Sequence, residues 1–178
     1  MNQNHKPRTA VYPGSFDPFT NGHRDILERA LEVFDKVIVA VVRNPAKTPL
    51  FTPAERVDII NNSVLPEYSH RISVVSFDGL LVEFMKQQKS RIILKGLRAL
   101  SDFEFEFQMA LMNRKLNPEV ETVFLMTSTE YTFLSSSRVR EIAMLNGKVG
   151  CLVSPYTEKK LREKFGNGFT GGETVEKD

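Results

Sequence analysis

Residues 37–42 read Val37-Ile38-Val39-Ala40-Val41-Val42, an unbroken apolar and mostly β-branched run. A strand with one wet face alternates apolar and polar side chains. A run without alternation needs cover on both faces, the pattern of a parallel sheet with helices above and below. Working outward, the chain alternates strand and helix patterns. Residues 8–12 form a short apolar segment, and Ile26, Leu27, Ala30, Leu31 and Phe34 recur at helical spacing over 25–34. Thr52-Pro53-Ala54-Glu55 predicts a helix start, with Thr as N-cap, Pro at N1 and Glu at N3 closing a capping box. Further strands are predicted over 72–77, 91–94 and 121–126, and further helices over 80–88, 99–116, 136–145 and 155–165. Asn146-Gly147 supplies the stop signal for the helix over 136–145. Such alternation implies right-handed crossovers and an α/β fold. The expected architecture is a single Rossmann-like doubly wound domain with a five-stranded parallel sheet and helices on both faces. The domain is expected over 1–165, followed by a flexible, glycine-rich polar tail over 166–178.

The length of 178 residues suits one domain with a sizeable core. A formal charge of +2 is too mild for a nucleic-acid face, which needs clustered basic residues. The single cysteine, Cys151, allows no internal disulfide framework and fits a reducing compartment. The first residues, MNQNHKPRTA, contain no apolar signal core, and no apolar stretch has the length of a membrane span. A cytoplasmic protein without nucleic-acid or membrane partners is expected.

Ligands of doubly wound sheets bind beyond the carboxyl ends of the strands, at the switch point. No GxxxxGK[ST] loop is present and no GxGxxG follows the first strand, which weighs against the usual ATPases and dinucleotide oxidoreductases. The connection there is YPGSFDPFTNGH, residues 12–23. Gly14 lets backbone approach a ligand, Ser15 offers a hydroxyl, and Thr20 or Asn21 can cap the next helix. Gly22 opens that helix, and His23 falls in its first turn, where free N–H groups and the dipole favour phosphate. The same positive end disfavours imidazolium in the free protein, and a bound polyphosphate favours it. Taken alone, His23 reads as a solvated first-turn histidine and the glycines as an ordinary tight turn. A second group, Ser135-Ser136-Ser137-Arg138-Val139-Arg140, opens the helix after the fifth strand. Its hydroxyls and N–H groups can hold phosphate oxygens, with Arg140 adding charge; the plain reading is an N-cap with redundant serines. Both groups stand at carboxyl ends of strands in one sheet and can face one ligand.

TNGH at 20–23 matches the (T/H)xGH signature of the nucleotidyltransferase superfamily, and LSSSRVR at 134–140 matches its serine-rich second signature. Together with KGLRALSDFEFEFQMA at 95–110 and MTSTEYTFLSSS at 126–137, the chain resembles the bacterial phosphopantetheine adenylyltransferase family from about Thr9 to about Leu161. The resemblance implies transfer of AMP from ATP to 4′-phosphopantetheine, giving dephospho-coenzyme A and pyrophosphate by direct in-line attack. It implies a transition-state-stabilising role for His23, contact of Ser15 with both substrates, and backbone contact of Phe16 with the nucleotide. It assigns Lys47 and Lys95 to the phosphate of phosphopantetheine, and Leu81 to the pantetheine channel. From the residues alone, Lys47 reads as a solvated loop charge and Leu81 as helix core. It assigns Gly96, Leu97, Arg98 and Glu106 to ATP, together with Tyr131, Thr132, Phe133, Leu134, Ser135, Ser136 and Ser137. Many members carry Arg where this chain has Lys95, which keeps the charge but loses the planar fork.

Mg2+ is expected with ATP, held largely by the nucleotide and water, because no dense carboxylate cluster suggests a protein-only metal cage. The resemblance also implies a homohexamer and feedback by coenzyme A. The helix over 99–116 is consistent with a subunit contact. Leu100, Phe103, Phe107, Ala110 and Leu111 make one apolar set, and Phe105, Met109, Met112 and Leu116 a second, turned away from it. The plain alternative is cover by other helices of the same chain. Rival functions are another small-molecule nucleotidyltransferase, acting on nicotinate mononucleotide or a phospho-alcohol, and a non-catalytic nucleotide sensor. The KGLRALSDFEFE block weighs against the first, and intact His23, Lys47 and Arg98 against the second.

Overall fold

The computed structural model describes residues 7–43, 48–98 and 100–166. Strand β1 (Thr9–Gly14) leads to helix α1 (Asn21–Val33), and the chain then runs through β2 (Lys36–Val42), α2 (Pro53–Asn61), β3 (Ile72–Phe77), α3 (Leu81–Gln87) and β4 (Ile92–Leu97). It finishes with α4 (Leu100–Leu116), β5 (Glu121–Met126), α5 (Ser136–Met144) and α6 (Pro155–Phe165). The five strands are all parallel and lie in the order β3-β2-β1-β4-β5, so the winding reverses between β1 and β4.

The run that opened the sequence is β2, and it is covered on both faces as its composition requires. Val37, Val39 and Val41 join a core layer with Ile26, Leu27 and Ala30 of α1, Ile59 and Ile60 of α2, and Val139 and Leu161 of the last two helices. Ile38 and Ala40 face the other way, into a layer with Val11, Ile93, Phe84 and Met85. Burying one Val or Ile side chain contributes roughly 1.5–3 kcal/mol, so a two-sided strand of this kind anchors the whole sheet. Among the described residues, no helix is long and apolar enough to cross a membrane.

Two strand ends differ from expectation. β1 continues through Pro13 and Gly14, and β4 continues through Lys95, Gly96 and Leu97, which pair with Phe124, Leu125 and Met126 of β5. Local composition marks Pro, Gly and Lys as strand breakers, but a central strand is extended by the ladder its neighbour offers. The consequence is functional: Lys95 and Gly96 are held by the sheet and not by a loop. The caps follow expectation closely. Thr52 accepts from Glu55 N–H and Glu55 from Thr52 N–H, at 3.3 and 2.7 Å. At the end of α5 it is Asn146, with φ 60°, that takes the left-handed position, while Asn146 and Gly147 donate to the carbonyls of Ala143 and Ile142.

Candidate active site

At the β1/β4 switch, above the carboxyl ends of the strands, lies a cavity of about 540 Å3. The β1–α1 turn, the end of β4, the first turns of α4 and the start of α5 build its wall.

Thr20 is the N-cap of α1, and His23 is its N3 residue. The pair forms a capping box in which a histidine takes the place of the usual Glu or Gln: Thr20 N–H donates to His23 Nδ1 at 3.0 Å. Because Nδ1 accepts, the neutral ring carries its proton on Nε2, the remaining donor of a side chain that lines the cavity. Burial, and then the neighbouring Arg98 guanidinium, push the imidazole down from the ordinary 6.5 to about 4. His23 is therefore neutral at pH 7 in the free protein. Phe16 and Phe19 flank the ring, with centroids 5.1 and 5.6 Å away. Phe16 itself sits at φ 47°, lines the cavity, and is buried with the core layer of α1. A Cβ on Gly14 would stand 2.7 Å from that ring, so Gly14 makes room for Phe16 in addition to any ligand. Two first-turn N–H groups of α1 are used within the chain: Asn21 donates to Leu152 O and His23 to Thr20 Oγ1.

Arg98 lines the same cavity. Its guanidinium makes a two-pronged pair with Asp102, at 3.0 and 3.3 Å, and donates to Leu134 O at 3.0 Å. Lys95 Nζ lies 3.1 Å from Glu106 Oε2. The two carboxylates of the wall are thus each matched to a cation. On the opposite side, Ser135 caps α5 by accepting from Arg138 N–H, and Ser136 Oγ donates to Pro18 O at 2.8 Å, which joins the start of α5 to the β1–α1 turn. Among the described residues, no group of three or more His, Cys, Asp or Glu side chains could hold a metal ion.

The cytidylyltransferase-like family model matches residues 11–142, the span that contains all of these elements. A phosphopantetheine adenylyltransferase from Carboxydothermus hydrogenoformans is 56% identical over 158 residues, covering 89% of this chain and 96% of that protein. The chain belongs to the phosphopantetheine adenylyltransferase family. Family members from Heliobacterium modesticaldum and Geobacter sulfurreducens are 55% and 53% identical, over 91% and 89% of this chain and 95% of each relative. A solved structure of the Plasmodium falciparum nicotinic acid mononucleotide adenylyltransferase, complexed with APC, superposes with a TM-score of 0.64 at 17% identity. It covers 90% of this chain and 96% of that one. That likeness concerns the fold.

Of the residues that the family resemblance singles out, Ser15, Phe16, His23, Lys95, Gly96, Arg98, Glu106, Leu134, Ser135, Ser136 and Ser137 line the one cavity. Leu97, Tyr131, Thr132, Phe133 and Leu81 do not. Leu97 is buried in the sheet, and Tyr131 packs behind Gly22, 3.3 Å from where a Cβ there would stand. Thr132 donates to Thr129 O, Phe133 is 62% exposed, and Leu81, the first residue of α3, packs on the other core layer. Lys47 lies outside the described residues.

Arg140 departs from expectation. It does not add free charge beside the serines; its guanidinium is taken by the carbonyl and the carboxylate of Asp17. A carboxylate as buried as Asp17 needs a cation and N–H donors, and that demand captures the arginine. Sequence reasoning passed over Asp17, Arg56 and Asp102. Arg56 carries a readable signal, since it stands three and four residues before Ile59 and Ile60 on the buried face of α2. It donates to Ser15 O at 2.7 Å and Val42 O at 3.2 Å. Asp102 stands four residues after Arg98, a charge spacing that can be read locally, whereas Asp17 carries no local signal.

Proposed function

We infer that this chain transfers AMP from ATP to 4′-phosphopantetheine, giving dephospho-coenzyme A and pyrophosphate. The observation that carries this reading is identity above one half along nearly the whole length of relatives named for that activity. The cavity supports it, because histidine, arginine, lysine and the start of a helix converge there without an activated nucleophile.

In this reading catalysis is positioning plus charge stabilisation. The acceptor phosphate attacks the α-phosphorus in line, and the bond to pyrophosphate breaks. His23 Nε2–H and Arg98 face the charge that grows on the transferring group, and Asp102 and Leu134 O hold Arg98 in place. The start of α5 takes the phosphate side. Negative charge in the cavity raises the affinity of His23 for a proton, so the ring donates more strongly when ATP is present than in the free protein. Lys95 supplies charge for the acceptor phosphate once it exchanges Glu106 for substrate. Mg2+ enters as part of the ATP substrate, since the carboxylates of the wall are already matched to Arg98 and Lys95. Coenzyme A, which contains the product scaffold, is the expected feedback ligand of the same cavity. A cytoplasmic homohexamer completes the reading. Its support is the exposed apolar surface of α4 and the single thiol of Cys151.

The deciding assay is pyrophosphate release from ATP and Mg2+ with 4′-phosphopantetheine, nicotinate mononucleotide or phosphocholine supplied separately. Release with 4′-phosphopantetheine alone is expected. Release with only one of the other two overturns the acceptor, and binding of ATP without any release favours a sensor.

A further inference from the structure

Asp17 does not line the cavity, yet it ties two of the elements that do, the β1–α1 turn and α5, to each other and to the approach to α2. The residue is 5% exposed. Its Oδ2 accepts from Leu50 N–H and its Oδ1 from Phe51 N–H, both at 2.9 Å. These two amides lead into α2 from the β2–α2 connection. Arg140 of α5 donates to the Asp17 carbonyl and stands 3.4 Å from Oδ2. The next residue continues the link, because Pro18 O accepts from Ser136 of α5. Arg56 supplies a second tie, from α2 to Ser15 O and to the last residue of β2, Val42. The β1–α1 turn, the approach to α2 and the middle of α5 therefore meet at one buried carboxylate, in the same turn that carries Ser15.

We propose that Asp17 is a positioning residue for the transfer. Its carboxylate keeps the approach to α2 and, through Arg140, helix α5 in register with the turn that carries Ser15 and His23. The proposal rests on the two-substrate transfer argued above. Two substrates held on different elements react fast only when those elements keep their mutual geometry. Loosening the tie leaves each substrate its own binding groups and misaligns them with one another. The signature is a loss in kcat with little change in either dissociation constant.

The test compares the parent with Asp17→Asn and Arg140→Met. Asn keeps the size of Asp17 but presents an amide NH2 where one backbone N–H needs an acceptor. Met removes only the cation. Turnover is measured at saturating ATP and 4′-phosphopantetheine, and calorimetry gives Kd for each substrate separately. Asp17→Asn is expected to lower kcat by about tenfold or more, with both Kd values within about threefold of the parent. Arg140→Met is expected to show a smaller loss of the same kind, and the double variant no more than Asp17→Asn alone. Unchanged kcat in both folded single variants overturns the proposal, because Asp17 is then only a stabilising group. A weakened ATP Kd in Arg140→Met with kcat retained also overturns it, because Arg140 is then itself a phosphate ligand. If Asp17→Asn fails to fold, Arg140→Met alone decides. If the parent turns over only with another acceptor, the substrate reading fails, and the same comparison with that acceptor still decides the role of Asp17.

Discussion

His23 shows how one residue can serve the fold and the chemistry with different atoms. Nδ1 closes the capping box of α1, and that bond determines which nitrogen is left to meet a ligand. His23→Ala is expected to lower kcat about 100-fold or more while ATP Kd changes little, because a contact of this kind strengthens as charge develops. Steady-state kinetics with calorimetry check this, and equal kcat in variant and parent refutes the role. The same residue has a pH signature. Its affinity for protons is lower in the folded state, about 4 against the ordinary 6.5. The unfolded chain therefore binds more protons between those values. The contribution of His23 to stability is complete above about pH 6.5 and is lost as pH falls through about 4. Urea midpoints measured across that window should fall less steeply with acid in His23→Ala than in the parent. TNGH together with LSSSRVR pointed to this residue. Its tautomer and the direction of its shift needed the positions of Thr20 and Arg98.

At the scale of elements, the caps were the most legible features. Thr52, Pro53 and Glu55 form the predicted box, and α6 and β5 run over the predicted residues. The box extends into tertiary structure, because Lys164 of α6 reaches Glu55 at 2.8 Å. That contact first, and the Thr52 amide second, draw the Glu55 carboxyl down to about 2. Thr52→Ala is expected to cost about 1 kcal/mol in urea unfolding, with kcat unchanged. A variant as stable as the parent would show that Pro53 and Lys164 start α2 without the cap. Less legible were the ends of β1 and β4, because Pro13, Gly14 and Gly96 are extended by neighbouring strands and not by their own preference.

On the scale of the whole molecule, α4 is the unfinished surface. Phe103, Phe105, Phe107, Met109, Leu111, Met112 and Leu116 are each 41% exposed or more, and Phe103 stacks on Phe107 and meets Phe124 edge-on. Among the described residues, other helices of the chain do not cover these side chains. Apolar surface of this extent and continuity is characteristic of subunit contacts. Light scattering at micromolar protein is expected to give a hexamer. Met112→Glu with Leu116→Glu should shift the mass toward monomer, and a monomeric parent would sink the assembly.

The sequence by itself determined the order of elements, the two-sided sheet and the family. Those properties are written in neighbouring residues: a β-branched run, apolar spacing on a helix, a hydroxyl before a helix start, TNGH and LSSSRVR. Only the tertiary structure decided how charges far apart in the sequence are partnered. Asp17 and Arg140 stand 123 positions apart, and Lys95 meets Glu106 across two elements. Burial makes an unmatched charge costly, so these cations go to the carboxylates that the fold brings near them, and for such distant pairs no local pattern records which one that is.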